Sequence, residues 1–395
     1  MQGCSFWLLL NRGECAIWVF KTFIVINFMS KQVSHPFKKI SGIKIIYPVI
    51  IGLGVVIFLL FKNFNPSAFD DVKFSYTMLM YLFMAVLFMA LRDIGYMFRI
   101  RVLSDNDLTW KKAFRVIMLW EFSSTLLPSA VGGTTVAMIF INKEGVNLGR
   151  STAIVMATSF LDELYFIIMF PLLLITISIP TLFSVGAGTH IGKIFSFSNE
   201  FLWFAIIGYS MKFVYTIVLG YGLFVNPRGL KWLILLIFKI PFLRKYRQKA
   251  NITGNDIITC SNEFRRKKIS FWLKAFGGTF FSWCSRYLVV NALMLAFFSI
   301  SNHFLLFARQ LVMSNMMLIS PTPGGSGFSE IIFIKYLRDF IHVKTELITS
   351  FATVLAFLWR LISYYPYLII GSILLPWWIK KKFVKKEIDN VPTSN

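Results

Sequence analysis

The sequence has few of the residues that build metal centres and disulfide frameworks. Among 395 residues there are 4 histidines and 4 cysteines. The cysteines have no paired spacing, and the histidines form no metal-binding motif. We therefore expect no disulfide scaffold, no metal site and no bound cofactor.

Charged residues, and acidic residues above all, are also scarce. Only 15% of the chain is charged, against about 25% in ordinary globular proteins. Lys and Arg number 41 against 18 Asp and Glu, and 56% of residues are hydrophobic. A soluble domain could not bury that much apolar surface, a disordered chain would contain far less, and a nucleic-acid binder carries its charge on polar surfaces. The composition predicts an all-α, polytopic membrane protein whose net charge of +23 lies in loops on one side.

Six apolar stretches are predicted to cross the bilayer, whose core takes about 20 residues of helix. They lie at 45–61, 75–98, 151–179, 201–225, 271–299 and 345–379. Two more stretches, 116–141 and 303–340, are interrupted by Pro and Gly, so a continuous helix is not expected there. We therefore expect about eight helical membrane segments.

Positive charge is concentrated in four places: before the first span, after the second, within 241–270 and after 379. Lys and Arg mark cytoplasmic loops, so both termini are expected in the cytoplasm. Six full crossings place both termini on the same side of the membrane, provided that each interrupted stretch enters and leaves the membrane on one side. We predict two re-entrant hairpins, the first dipping from the cytoplasm and the second from outside. Two full crossings for each would keep the same parity.

The pattern divides the chain into three parts. They are an N-terminal arm at 1–40, a membrane domain at 41–380 with a basic cytoplasmic loop at 241–270, and a basic tail at 381–395. Residues 1–28 do not fit a secretory signal, and we interpret them as an extension or disordered arm ahead of Met29. The segment 229–243 is short, aromatic and flanked by lysines, so an interfacial helix is predicted.

Ionisable side chains inside the predicted spans are the first functional candidates, because charge at bilayer depth is costly. We select Asp162, Glu163, Glu330, Arg286 and Arg360 as substrate-binding candidates. Together they predict a polar cavity suited to a headgroup that carries phosphate and an ammonium group. The alternative is that they form internal ion pairs that only hold the bundle together.

The interrupted stretches add backbone groups to this candidate site. Successive amides followed by a helix N-terminus bind anions without basic side chains. The alternative is a tight turn that only redirects the chain. A Pro followed by Gly-Gly recurs in both stretches, a pattern of inverted-repeat transporters with a site at mid-membrane. The candidates are Gly132 and Gly133 in the first stretch and Pro321, Pro323, Gly324, Gly325 and Gly327 in the second.

These motifs resemble a known family. LPSAVGG at 127–133, FLDE at 160–163, SRY at 285–287, PTPGGSGFSE at 321–330 and WRLISY at 359–364 are similar to the lysylphosphatidylglycerol synthase transmembrane-region family. This is the flippase-like membrane domain of the multiple peptide resistance factor. The resemblance covers about 40–380 and implies a bundle with broken helices that moves aminoacylated phosphatidylglycerol in the bacterial inner membrane. After Gly133 the chain has Thr134 and Thr135 where many members have Asp and a basic residue, so the headgroup stays open.

The leading hypothesis is a translocase that moves an anionic or aminoacylated phospholipid, or a lipid-linked headgroup, between leaflets. Because the chain ends soon after the last span, we expect no cytoplasmic aminoacyl transferase domain, no catalytic residues and no enzyme activity. Two alternatives remain at this stage. One is a membrane-embedded phosphatidylglycerol lysyltransferase, and the other is a non-transporting partner of a separate synthase or glycosyltransferase.

Overall fold

The computed structural model describes residues 74–126, 133–183, 197–239, 244, 247–318, 320, 322 and 324–384. Within these ranges the regular structure is entirely helical. The α-helices in chain order are α1 Tyr76–Leu103, α2 Trp110–Leu126, α3 Thr134–Lys143, α4 Leu148–Thr176, α5 Ile179–Phe183, α6 Phe197–Gly220, α7 Pro227–Ile237, α8 Arg247–Arg266, α9 Ile269–Leu295, α10 His303–Met317, α11 Phe328–Tyr336, α12 Ile348–Ser363 and α13 Tyr365–Ile379. The predicted arm at 1–40 and the predicted span at 45–61 lie outside the described residues.

Four stretches are long and apolar enough to cross a membrane. They are Tyr76–Leu103, Leu148–Thr176, Leu202–Val225 and Thr345–Lys382. The predicted spans at 75–98, 151–179, 201–225 and 345–379 are therefore confirmed as long apolar helical stretches. The predicted span at 271–299 forms the 27-residue helix α9, which is not among the four. The protein is a polytopic helical membrane bundle.

The stretch predicted as one span at 345–379 contains two helices. Helix α12 ends at Ser363, α13 begins at Tyr365, and Tyr364 between them has φ −130° and ψ −55°. Pro366 lies in the first turn of α13, where it has no amide to donate and restricts the residue before it. The break is therefore local, and it leaves the Tyr364 side chain buried inside the bundle.

The predicted basic loop at 241–270 is largely a helix. Helix α8 spans Arg247–Arg266 and packs against α7 and α4. Ile257, Cys260 and Phe264 recur at helical spacing and are buried, so the apolar face is narrow within a polar sequence. The predicted interfacial segment at 229–243 contains α7, Pro227–Ile237, with Trp232 61% exposed.

Ion pairs bring the basic segments to one end of the bundle. Asp105, just after α1, contacts Arg150 at the start of α4 and Lys267 at the start of α9. Glu144, just after α3, contacts Arg115 in α2 at 2.7 Å and Lys382 after α13 at 3.0 Å. We call the surface around these six residues the basic end. Both ends of the first interrupted stretch lie here, as the hairpin prediction requires.

The second interrupted stretch has both its ends at the opposite end of the bundle. Nη1 of Arg309 on α10 contacts Oδ2 of Asp339 at 2.8 Å, just after α11. Its Nη2 donates to the carbonyl oxygen of Thr181, just beyond the end of α4, at 3.2 Å. The two interrupted stretches therefore enter the bundle from opposite ends.

Helices α1 and α9 pack closely against each other. A Cβ on Gly95 would lie 2.3 Å from Oγ of Ser282 and 3.0 Å from the carbonyl oxygen of Gly278. The Ser282 hydroxyl donates to the carbonyl oxygen of Arg92 at 3.0 Å. This close approach places the two arginines Arg92 and Arg286 on one tightly packed helix pair.

Glu144 at the basic end predicts a pH dependence of stability. Burial alone would raise the pKa of its carboxyl group, but hydrogen bonds from Arg115, Lys382 and Trp378 outweigh burial and hold the pKa below its ordinary value. A lowered folded-state pKa stabilises the fold above the ordinary Glu pKa of about 4.3, and the stabilisation disappears as pH falls through the lower folded-state value. We expect thermal stability to fall with acidification in that range.

A matched pair of variants tests this dependence. Glu144→Gln is expected to lower the stability at pH 7 by about 1–3 kcal/mol, because it leaves Arg115 and Lys382 without their carboxylate. It should also flatten the decrease between about pH 5 and pH 3. The exposed Glu263 in α8 provides the control, and Glu263→Gln should keep the wild-type profile. A wild-type profile for Glu144→Gln, measured by thermal melts in detergent, would contradict the assignment.

Candidate functional site

The interrupted stretches meet in the interior of the bundle. Tyr364, at the α12–α13 break, donates its hydroxyl to the carbonyl oxygen of Thr125 near the end of α2, at 3.1 Å. Ser326 in the second stretch donates to the Tyr364 hydroxyl at 3.4 Å. A Cβ on Gly324 would lie 2.9 Å from the same Thr125 oxygen. Residues of both stretches therefore contact one tyrosine.

The second stretch needs its glycines for this contact. Gly324, Gly325 and Gly327 have φ of +55°, +70° and +83°, in the left-handed region. That region costs L-residues steric energy that glycine avoids. A Cβ on Gly324 would also lie 2.5 Å from the Tyr364 ring. The three glycines are thus required by the turn itself, whatever else they do.

A cavity of about 330 Å³ lies where these elements meet. Its polar lining includes four cations, Arg92, Lys212, Arg286 and Arg360, and one carboxylate, Glu121. The remaining lining residues are Tyr96, Ser124, Thr125, Thr134, Phe166, Trp283, Ser314, Met317, Leu318, Gly324, Ser329, Trp359, Ser363 and Tyr364. The cavity therefore presents mainly positive charge to whatever enters it, among aromatic rings and hydroxyl groups.

Arg360 and Glu330 form a buried pair against the glycine turn. Nε of Arg360 donates to Oε1 of Glu330 at 2.7 Å, and Oε2 of Glu330 accepts from the Gly327 amide at 2.7 Å. The two Nη atoms of Arg360 donate to the carbonyl oxygens of Gly324 and Gly325, each at 3.3 Å. Arg360 is 6% exposed and Glu330 3%. Both are candidates from the sequence, but only Arg360 is among the described lining residues of the cavity. Each contacts the other and the glycine turn.

Asp162 and Glu163 on α4 each pair with a different cation. Asp162 accepts from Arg99 and from the indole Nε1 of Trp283, the latter at 2.8 Å. Glu163 accepts from Nζ of Lys212 at 2.7 Å. Neither carboxylate lines the cavity, but Trp283 and Lys212 both do. The two acidic residues therefore orient side chains of the cavity wall.

Arg92 and Glu121 are residues of the cavity that the site prediction did not include. Nη2 of Arg92 contacts Oε1 of Glu121 at 2.7 Å, and Nη1 contacts Asp93 at 3.0 Å. Tyr367 on α13 donates its hydroxyl to Asp93 and accepts from Arg92. The signal was present in the sequence, because both residues are ionisable positions within membrane segments. The pairing between α1 and α2 was not visible.

Arg286 differs from every other cation of the cavity. It lies on α9, is half-buried, and its guanidinium lies over the Trp283 ring, 5.5 Å from the centroid. Among the described residues no carboxylate lies within ion-pair distance of it. Its donors therefore face the cavity without an anionic partner from the described part of the chain.

The glycine amides have acceptors within the chain. Gly133 donates to the hydroxyl oxygen of Ser124 at 3.0 Å, and Gly325 donates to the carbonyl oxygen of Thr322 at 3.0 Å. With Gly327 bonded to Glu330, these three amides are already engaged. The anion-binding role of the glycine amides stays a prediction, and at these three positions an anion would have to replace the acceptor that each amide already has. Gly132, Pro321 and Pro323 lie outside the described residues.

The charges in and around the cavity balance. The cations are Arg92, Arg99, Lys212, Arg286 and Arg360, and the carboxylates are Asp93, Glu121, Asp162, Glu163 and Glu330. They are equal in number but unevenly distributed, because Arg92 contacts two carboxylates and Arg286 contacts none. Counting the described residues in and around the cavity, the formal charge is zero, although the lining itself is mainly positive and Arg286 on α9 has no carboxylate in contact.

A multi-pass helical bundle with a charged internal cavity defines the class: an integral membrane protein with a polar site enclosed by interrupted helices. Residues 45–371 match the family model described as "Lysylphosphatidylglycerol synthase TM region". The chain belongs to this family. A "UPF0104 membrane protein" of the archaeon Archaeoglobus fulgidus is 26% identical over 303 residues, which cover 73% of this chain and 84% of that protein. No solved structure matches the chain.

Proposed function

We infer that this protein moves a phospholipid between the two leaflets by alternately exposing the internal cavity. The observation that carries the proposal is Arg286, a guanidinium without a carboxylate partner among the described residues, in a cavity of a membrane-spanning bundle. A phosphate diester would supply the missing anion through charge-assisted hydrogen bonds. Ionisable groups at membrane depth commonly mark substrate pathways.

The balance of charges favours a headgroup that carries both signs. A purely anionic headgroup on Arg286 would leave the cavity with one uncompensated negative charge. A headgroup with a phosphate and an ammonium group leaves it neutral, with the phosphate on Arg286 and the ammonium beside Glu121, the carboxylate of the cavity lining. Uncompensated charge in a low-dielectric site is costly. An aminoacylated or amine-bearing phospholipid is therefore the proposed substrate.

Two features support access from the leaflet at the basic end, which we place at the cytoplasmic face because Lys and Arg mark cytoplasmic segments. Helix α7 presents Trp232 and Leu236, 61% and 40% exposed, as an interfacial helix does. The basic residues around it attract anionic lipid headgroups. Described residues of both interrupted stretches line the cavity, among them Thr125 and Gly324. A rearrangement at Tyr364, which contacts Thr125, would therefore open the cavity toward either side.

The proposal is tested with the purified chain in sealed vesicles that contain fluorescent lipid analogues. Reduction of accessible fluorophore by membrane-impermeant dithionite reports lipid that moves from the inner leaflet. We expect the protein to accelerate movement of an aminoacylated phosphatidylglycerol analogue over that of unmodified phosphatidylglycerol. Equal rates in protein-free vesicles and in vesicles with the protein, for every headgroup offered, would contradict the proposal. Mass spectrometry of lipid retained in gentle extraction identifies the native headgroup.

A further inference from the structure

A second recess lies at the basic end, separate from the internal cavity. It has a volume of about 530 Å³ and lies between the end of α1 and the start of α9. Phe98, Val102 and Phe271 supply its apolar wall, and Lys267, Lys268 and Lys274 supply its charged rim. We call it the α1–α9 groove. It shares no lining residue with the internal cavity.

The charge of the groove is positive. Asp105 is its acidic lining residue, and that carboxylate is shared between Arg150 and Lys267. Lys268 and Lys274 are exposed and have no carboxylate within ion-pair distance in the part of the chain that the structure describes. Two lysines are thus available to an anion, whereas the internal cavity has a balanced set of charges.

The apolar wall of the groove continues along the outside of the bundle. Ile94 and Phe98 on α1 are 44% and 38% exposed, and Val102 follows one turn further on. These positions recur every four residues, so they form one stripe on the helix face. In a membrane-spanning helix such an exposed apolar stripe contacts acyl chains. The stripe therefore leads from the lipid phase to the lysine rim.

From this combination we propose that the α1–α9 groove binds an anionic phospholipid of the leaflet at the basic end. The phosphate lies between Lys268 and Lys274, and an acyl chain follows the stripe from Val102 to Ile94. A soluble anion would use the lysines but not the apolar wall, and a zwitterionic lipid would use the wall but gain less from the lysines. Both surfaces are used together by an anionic lipid such as phosphatidylglycerol.

The groove lies on the same helix pair as the internal cavity. Lys274 and Arg286 are twelve residues apart on α9, which at about 1.5 Å per residue corresponds to about 18 Å along the helix. A lipid in the groove therefore contacts the helix that carries Arg286. Binding in the groove does not depend on the proposed transport activity, and the two are tested separately.

The test uses the full chain in nanodiscs that contain a photoactivatable phosphatidylglycerol, with adducts mapped by mass spectrometry. We expect adducts in the segments 98–106 and 267–274, and competition by unlabelled phosphatidylglycerol but not by phosphatidylcholine. Lys268→Gln/Lys274→Gln should reduce labelling there about tenfold, because each lysine near an anionic lipid contributes substantially to binding. Lys111→Gln/Lys112→Gln removes two lysines from α2 at the same end and should leave labelling unchanged.

Two further variants separate the possible outcomes. Val102→Trp obstructs the apolar wall without changing charge and should also reduce labelling. This result would show that the groove binds the acyl chain of a lipid and not only an anionic group. Arg286→Gln should leave groove labelling at the wild-type level even where transport is lost. Equal labelling by a phosphatidylcholine probe, competition by soluble glycerol phosphate, or unchanged labelling in Lys268→Gln/Lys274→Gln would each overturn the proposal.

Discussion

Replacing Arg286 by Gln is expected to reduce lipid movement about 10- to 100-fold while the protein stays as stable as the wild type. The loss follows because a hydrogen bond to a charged group contributes about 1.5–3 kcal/mol. Stability is preserved because no carboxylate in the described chain contacts Arg286, and the nearby Asp93 keeps Arg92 and Tyr367 as its contacting partners. Removing an unpaired, half-buried cation from the bundle costs the fold little.

Variants at neighbouring positions make this expectation specific. Arg286→Lys keeps the charge but loses the planar fork that binds phosphate through two donors, so an intermediate rate is expected. Arg101→Gln removes an arginine from the end of α1, outside the cavity lining, and should transport at the wild-type rate. Dithionite assays and thermal melts on the same preparations provide both readouts. Wild-type transport by Arg286→Gln would show that Arg286 does not bind the transported lipid.

The interrupted helices could be anticipated from the sequence because their cause is local. Proline and glycine act on the backbone where they stand, and the turn at 324–327 has the left-handed angles that glycine permits. The same reasoning applies to the basic end, since positive-inside charge is a property of each loop. The meeting of the two stretches at Tyr364 could not be anticipated, because Thr125 and Tyr364 are brought together by packing alone.

Of the five charged site candidates, Arg286 and Arg360 line the cavity, whereas Arg92 and Glu121 were not among the candidates and none of the pairings could be predicted. Arg99 lies after the span predicted at 75–98, yet α1 continues to Leu103 and Arg99 contacts Asp162 inside the bundle. Glu121 was visible as an intramembrane carboxylate, but its contact with Arg92 depends on how α1 and α2 pack. Partner choice among buried charges is a tertiary property, and one sequence without that geometry leaves it open.

Helix α8 lies in a segment that the sequence analysis predicts as a loop because of its polar composition. Its polar sequence was interpreted as a loop, although Ile257, Cys260 and Phe264 have the spacing of a buried helix face. These residues lie on the helix that packs against α7 and α4. Periodicity was therefore the better guide here than mean polarity.

Arg360→Ala is expected to destabilise the protein by about 3–5 kcal/mol, since it leaves Glu330 buried without its cation. As a substrate-binding candidate from the sequence, Arg360 would be expected to affect transport. The structure adds a folding cost, because Arg360 also donates to the carbonyl oxygens of Gly324 and Gly325. A low yield of Arg360→Ala would therefore say nothing by itself about lipid binding.

The double variant Arg360→Met/Glu330→Gln separates the two effects. It removes both charges at nearly constant volume, so no unpaired charge stays buried and much of the lost stability should return. Transport should stay low if Arg360 also contacts the phosphate, because the cavity has then lost one of its four cations. Recovery of transport together with stability would limit the pair to holding the turn. Thermal melts and vesicle assays of the three variants distinguish a structural pair from a ligand-binding one.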